Sequence, residues 1–336
     1  MTTRATALLV ALSLLPATSF AATFCASTAT QLRDALSIAA SNGEADDIRL
    51  TRTTFNGSSA APFQLILGEA YGVRISGGWS LLGGATCWMP TFDATRTVLD
   101  GGLSAPALRI LVTSTHAIVP VTVEGLTLRN GYSFSSEASG LSITGIADGA
   151  ASVVVDRVIV HSNTSGQDNV PAVYLTSDDN FVRFSNSIVR HNTTLDAPTI
   201  FVLSNAGGAA LHNLSVIYNT RQGFGESTEV LGMGPTQISN SLFFGNTGGG
   251  DLGSNGVVRY YNVRYGTGAD PVLLNQQGFN NYVITNPKLL SPTSPRPLID
   301  SPLRNVGANT VATKDAFGQS RILGGYADVG ALEYVE

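Results

Sequence analysis

Residues 186–193 read NSIVRHNT, residues 213–220 read NLSVIYNT and residues 240–247 read NSLFFGNT. The segments repeat every 27 residues, so Asn186, Asn213 and Asn240 share one register and Asn192, Asn219 and Asn246 another. A fainter copy, RVIVHSNT, fills residues 157–164, and LTLRNG at 126–131 reads as a fifth. A fixed period of this length marks a solenoid, whose units bury their core only by stacking on one another.

Aligning the copies on the last asparagine defines a slot held by Gly131, Asn163, Asn192, Asn219 and Asn246. Three residues before it stand Leu128, Val160, Val189, Val216 and Phe243. Eight before it stand Val123, Val155, Phe184, Leu211 and Ile238, and ten before it Val121, Val153, Val182, Ala209 and Thr236. Apolar positions two apart mean strand alternation. The column six before the slot (Gly125, Arg157, Asn186, Asn213, Asn240) shifts that alternation by one residue. Gly and Asn there suit the left-handed conformation of a tight corner. Each rung therefore reads as strand, one-residue corner, strand, Asn-Thr corner, loop and third strand. The third strands are expected at residues 141–144, 173–176, 200–203 and 230–233. This is the rung of a parallel β-helix, with neighbouring rungs ~4.8 Å apart. Asparagine amides stacked at that spacing hydrogen-bond along the axis, which makes the Asn columns structural. Spacing carries no handedness, and right-handed crossovers are the rule for parallel strands.

The β-helix is expected over residues 46–285, with its first strand at 48–50. Residues 23–45 read as an N-terminal cap. Within residues 30–40, Leu32, Ala35, Leu36 and Ala39 have helical spacing, and a short helix there would cover the edge of the first rung. Residues 286–336 read as a compact C-terminal tail or cap, introduced by Pro287, Pro292, Pro295, Pro297 and Pro302.

Residues 1–22 have the form of a signal peptide. Arg4 is the basic start, residues 5–15 are an apolar run too short to span a bilayer, and Ser19 and Ala21 are small residues suited to cleavage. Removal of Arg4 takes the net charge from −5 to −6. Ala22-Thr23-Phe24 is a poor lipobox for Cys25, and no later segment has the ~20 apolar residues of a membrane span. A secreted, soluble protein is expected, with Cys25 and Cys87 joined across about 60 residues, as an oxidising compartment favours; two unrelated thiols are the alternative. Only 13% of the 336 residues are charged, and 36 are glycine. Of the 19 basic residues, all but Lys288 and Lys314 are arginine, and they form no cluster. Nucleic acid is therefore not an expected partner. Two cysteines and four scattered histidines make no metal set.

The C-terminal segments SPLRNVGAN, KDAFGQSR and YADVGALEY resemble the closing signature of bacterial secreted right-handed β-helix proteins called choice-of-anchor Q. Asp315, Gly318, Arg321, Asp328, Gly330 and Glu333 take the matching positions. QLRDALSIAASNGEADDIRL at residues 31–50 is similar to the start of many such proteins. Gly207-Gly208-Ala209-Ala210 and Phe243-Phe244-Gly245-Asn246 more loosely resemble the repeats of polymorphic outer-membrane proteins. The resemblance implies an exported right-handed β-helix. It implies no single activity, because that family has none. The chain carries no sorting motif or hydrophobic tail before Glu336, so a cell-wall anchor is not expected.

Enzymes of this fold usually work on the sheet after the long loop, with acids and basic residues. The outward positions expected there are Ser142 and Thr144, Tyr174 and Thr176, Phe201 and Leu203, none of them charged. Tyr174 and Phe201, on adjacent rungs, would offer a platform for sugar rings unless loops cover them. Two other outward columns are charged. Glu124 and Asp156, seven before the slot, would stand ~4.8 Å apart, near the separation of a retaining carboxylate pair. They would equally share a calcium ion, although no motif supports one and no cofactor is expected. Arg129, His161 and Arg190, two before the slot, would neutralise a uronate or sulfate. Both columns also fit an ordinary solvated face with cross-rung pairs. Asp178-Asp179 reads as a turn, because the histidine and arginine-lysine motifs of polygalacturonase-like enzymes are missing. Two functions follow. The first is an exported, monomeric, non-catalytic β-helix that binds polysaccharide or a cell-surface glycan. The alternative is a polysaccharide lyase or glycosidase acting on an acidic polysaccharide through Glu124 and Asp156.

Overall fold

The structure is a computed structural model and describes residues 22–114, 118–135, 137–145, 151–178, 180–223, 228–232, 234–255, 258–266, 278–308, 312–323 and 325–335. The expected leader, apart from Ala22, lies outside these residues, as does Asp179.

Parallel strands stack into a right-handed β-solenoid of about six turns. The register is that of the repeats. Val153, Val182, Ala209 and Thr236 pair in succession, and so do Val155, Phe184, Leu211 and Ile238. These columns are buried together with Leu128, Val160, Val189, Val216 and Phe243. The core is thus a set of stripes of like side chains, each packed on the rung above and below.

The first corner follows its composition. Gly125, Arg157, Asn186, Asn213 and Asn240 have φ between 48° and 66°. The second corner turns at a different place relative to its asparagine. Its left-handed residue stands one before the slot, at Asn130, Ser162, His191, Tyr218 and Gly245, with φ from 51° to 69°. None of these is β-branched, the type for which positive φ is most costly. The turn directs each slot asparagine inward, where it is buried. Asn163 Nδ2 donates to Asn192 Oδ1 at 2.9 Å and to the Leu128 carbonyl at 3.3 Å. Asn192 and Asn219 repeat both bonds one rung further on. Each Oδ1 also accepts a backbone N–H from the preceding rung. The ladder ends at Asp251, which accepts the N–H and side-chain amide of Asn246 at 3.1 and 2.7 Å. Buried amides thereby find their partners without water.

After this corner the rungs carry an additional two-residue strand. Tyr132–Ser133, Thr164–Ser165, Thr193–Thr194 and Thr220–Arg221 form a four-stranded parallel sheet. The third strands form a seven-stranded sheet from Gln64–Leu67 to Gly253–Asn255. Ile200 pairs with Thr228, so the strand expected at 230–233 is instead Thr228–Gly232, and Met233 lies outside the described residues.

At the N-terminus the helix is Ala29–Ala39. Thr28 Oγ1 accepts the Gln31 N–H at 3.2 Å, and the Gln31 side chain accepts the Ser27 N–H at 2.8 Å, a reciprocal cap. Leu32, Ala35, Leu36 and Ala39 are buried over the first rung. A strand that the sequence reading lacks, Ala22–Ala26, pairs in parallel with Asp46–Thr51, so the edge is closed by a strand as well as a helix. Five residues are too few to display an alternation. Cys25 in this strand is bonded to Cys87, with Cα atoms 5.4 Å apart.

The C-terminal tail meets the end of the solenoid at Ile284, against which Leu303 and Val329 pack. It runs back along the outside of the solenoid as a strap. Leu303 and Val329 pack with Ile217, Leu242 and Ile284, and Ala316, Ala331 and Leu332 with Ala94, Ile159 and Ile188. Gly330 donates its N–H to the Asn240 carbonyl at 2.8 Å, and Ala331 donates to Ser215 Oγ at 2.9 Å. The tail signature builds the strap's own centre. Arg321, with no exposed surface, donates to Glu333 Oε1 at 2.8 Å and to the Gly330 carbonyl at 2.6 Å. Asp315 accepts backbone N–H groups from Phe317, Gln319 and Glu333, and Asp328 accepts those of Asn305 and Tyr334. Burial pushes Glu333 up to about 7 despite the neighbouring guanidinium. These signature residues hold the strap in shape.

Candidate functional site

The sequence candidates fall on three different faces. Glu124 and Asp156 stand just before the first corner, within the strands Val119–Arg129 and Ala151–His161, and are direct cross-rung partners. Arg129, His161 and Arg190 are likewise successive partners, on the far side of that corner. Tyr174 and Phe201 pair on the third-strand sheet. The strap lies between the first two groups, since it packs on Ile159 and Ile188, which sit between the columns of Asp156 and His161. The structure therefore joins the members of each group and keeps the groups apart.

Both carboxylates are tied to arginine. Arg157 Nη2 donates to Glu124 Oε2 at 2.7 Å, and Arg157 Nη1 donates to Asp156 Oδ2. Arg74 Nε donates to Glu124 Oε1 at 2.7 Å. Asp156 Oδ1 accepts from Ser185 Oγ at 2.8 Å and from Asn186 Nδ2 at 2.7 Å. Each carboxylate thus commits part of its acceptor capacity to charge-assisted bonds with arginine. Arg157 reads in the sequence as a corner residue, and Arg74 lies outside the aligned repeats. Their pairing becomes visible only in three dimensions. Among the described residues no group of three or more His, Cys, Asp or Glu side chains gathers at one point to hold a metal.

Beside this pair a cleft of about 240 Å³ opens between the first face and the strap. Its polar lining includes Asp156, Arg183, Ser185, His212 and Thr313. His212 Nδ1 stands 2.6 Å from Ser239 Oγ. Burial, reinforced by Arg183, lowers the affinity of His212 for a proton.

In the cationic row, Arg129 Nε donates to Asp100 Oδ2 at 2.8 Å. Burial alone would raise Asp100, but bonds from the Gly102 N–H, Arg129 and Asn130 hold it below the usual carboxylate range. Burial, with Arg190 and Arg129 on either side, drives His161 down to about 4. Burial also lowers Arg190, whose Nη1 lies 3.3 Å from His191 Nδ1. At neutral pH the row carries two charges from three basic side chains, and Asp100 offsets one of them.

On the third face, the rings of Tyr174 and Phe201 lie 5.2 Å apart between centroids, tilted by 55°, and both are half-buried. Burial raises the Tyr174 hydroxyl above its ordinary range. Ser142 and Thr176, expected as open outward positions of this sheet, are covered. Ser142 leads on to Arg109, which pairs with Glu137. Leu203 beside the rings and Leu111 further along the sheet are half-buried too, and Ile66 near its edge is exposed. No family model, curated protein or solved structure matches the chain.

Proposed function

We propose that this is an exported, non-catalytic β-helix protein that binds polysaccharide or a glycan-bearing cell surface. The observation that carries this reading is the engagement of Glu124 and Asp156 by Arg74 and Arg157. These two acids face each other on adjacent rungs, and both bind arginine. The fold supports a ligand of extended form, because stacked rungs make a long, regular surface. The half-open Tyr174–Phe201 pair supplies the ring faces that sugars stack on. The disulfide agrees with an oxidising compartment, and no described helix is long and apolar enough to cross a membrane. The similarity of the tail to choice-of-anchor Q proteins fits the same reading. The test is Tyr174→Ala on a glycan array. Loss of the bound glycans with an unchanged melting temperature supports the platform, and retention of every signal overturns it.

A further inference from the structure

One rung departs from the plan of the others. Where the next rung turns its first corner at Gly125 alone, this rung leaves the corner at Gly77 and returns only at Val98–Asp100. A Cβ on Gly77 would come within 2.3 Å of the Gly125 carbonyl, so the departure point itself stays in the solenoid stack. Insertions of this kind are where solenoids add functions to a regular scaffold.

The insertion is an antiparallel hairpin in which the outer end of the strand Val73–Leu82, from Trp79 on, pairs with Thr86–Pro90. Residues 75–92 contain no Asp, Glu, Lys, Arg or His. Ser80 opposes Trp88 and Leu82 opposes Thr86, which puts Leu82 and Trp88 on one face. Leu81 opposes Cys87 on the other face, and Met89 adjoins it there. Leu81, Leu82, Trp88 and Met89 are 42%, 56%, 55% and 62% exposed. The tip, Gly83-Gly84-Ala85, is exposed as well. An element that docks on a protein or a sugar needs one apolar face. This one is apolar on both faces and uncharged at its end, a distribution that suits an apolar medium surrounding it. At its base Arg52 donates to the Gly78 carbonyl at 3.0 Å, is exposed, and forms no ion pair among the described residues. The disulfide from Cys87 to Cys25 fixes the hairpin to the first strand, so little conformational freedom remains to be lost on binding.

We propose that the tip of this hairpin inserts into the interfacial layer of a lipid bilayer, with Leu81 and Leu82 among the acyl chains, Trp88 and Met89 at the headgroup level and Arg52 against anionic phosphates. The attachment is peripheral and independent of the glycan reading, since the hairpin and the Tyr174–Phe201 pair belong to different elements. The full chain, with its disulfide intact, is sedimented with vesicles of phosphatidylethanolamine and phosphatidylglycerol. It is compared with a Leu81→Ser/Leu82→Ser/Trp88→Ser/Met89→Ser variant that carries residues 1–21 unchanged, so that the difference reads the hairpin. Trp79, the second tryptophan, is buried, and a blue shift of emission on adding vesicles therefore reports Trp88. The wild type should sediment with this shift, and the variant should bind at least about tenfold more weakly, as expected when binding scales with buried apolar area. The single variant Leu82→Asp should show the same loss, which covers a failure of the quadruple variant to fold. Equal binding by wild type and Leu82→Asp, absence of wild-type binding, or self-association through the hairpin in place of vesicle binding overturns the proposal.

Discussion

Arg157 donates to Glu124 across one rung at 2.7 Å from a corner position that neighbouring rungs give to Gly125, Asn186 and Asn213. The same guanidinium reaches Asp156. The one charged residue of the corner column therefore neutralises the two carboxylates that face each other on adjacent strands. Replacing it by the residue the other corners use, Arg157→Asn, preserves the left-handed turn and leaves the two acids opposed. This variant should lose about 2 kcal/mol in urea denaturation, and raised salt should restore part of the loss by screening the repulsion. An unchanged midpoint would show that the pair carries no weight.

Phe184 is fully buried between Val155 and Leu211 on the rungs above and below. Phe184→Ala should cost about 3–5 kcal/mol, because a rigid stack refills a cavity poorly. Chemical denaturation measures this, and a loss below about 1 kcal/mol contradicts a continuous packed core.

Asn192 donates twice through its amide and accepts twice from Asn163. Asn192→Ala strands the Asn163 donors in the interior, at about 1–3 kcal/mol for a buried unsatisfied group. Hydrogen exchange should quicken at Asn163 and Gly131 before it does at distant rungs. Uniform exchange throughout would mean that the ladder does not transmit order.

Glu333 and His161 should tilt the pH profile in opposite senses. Glu333 has its affinity raised from 4.5 to about 7. Between those values the folded protein keeps a proton that the unfolded chain releases, so this group lowers stability as pH rises. His161 is lowered from 6.5 to about 4. In that window the unfolded chain takes up a proton that the folded one refuses, so stability falls as pH drops. Relative to wild type, Glu333→Gln should gain on the neutral side and His161→Gln on the acid side. Melting curves from pH 4 to 8 read both slopes, and parallel profiles for all three proteins contradict the assignment.

Most of the solenoid is legible in the chain because its columns are made of one residue type repeated at one spacing. The inward stripes at Val155, Phe184 and Leu211, the corner asparagines and the four buried residues of the N-terminal helix follow from alternation and helical period. Other features leave no periodic trace. The left-handed residue of the second corner changes from Ser162 to His191 to Tyr218, so composition does not reveal it. Asp251 takes over the asparagine column from a loop, out of register with the repeat. The strap depends on contacts between residues more than a hundred positions apart, such as Ala331 with Ser215. The site candidates were legible as columns but not as partners. Outwardness is periodic, whereas the arginine that meets Glu124 and Asp156 is set by a corner that turns its side chain toward them.

The central claim is glycan binding without turnover. Its most direct test takes each glycan retained on an array, incubates it with the protein, and assays new reducing ends and the ultraviolet absorbance of unsaturated uronates. Retention with neither product, unchanged by Glu124→Gln, is the predicted result. Product formation that Glu124→Gln abolishes would contradict the account and make Glu124 and Asp156 a catalytic pair.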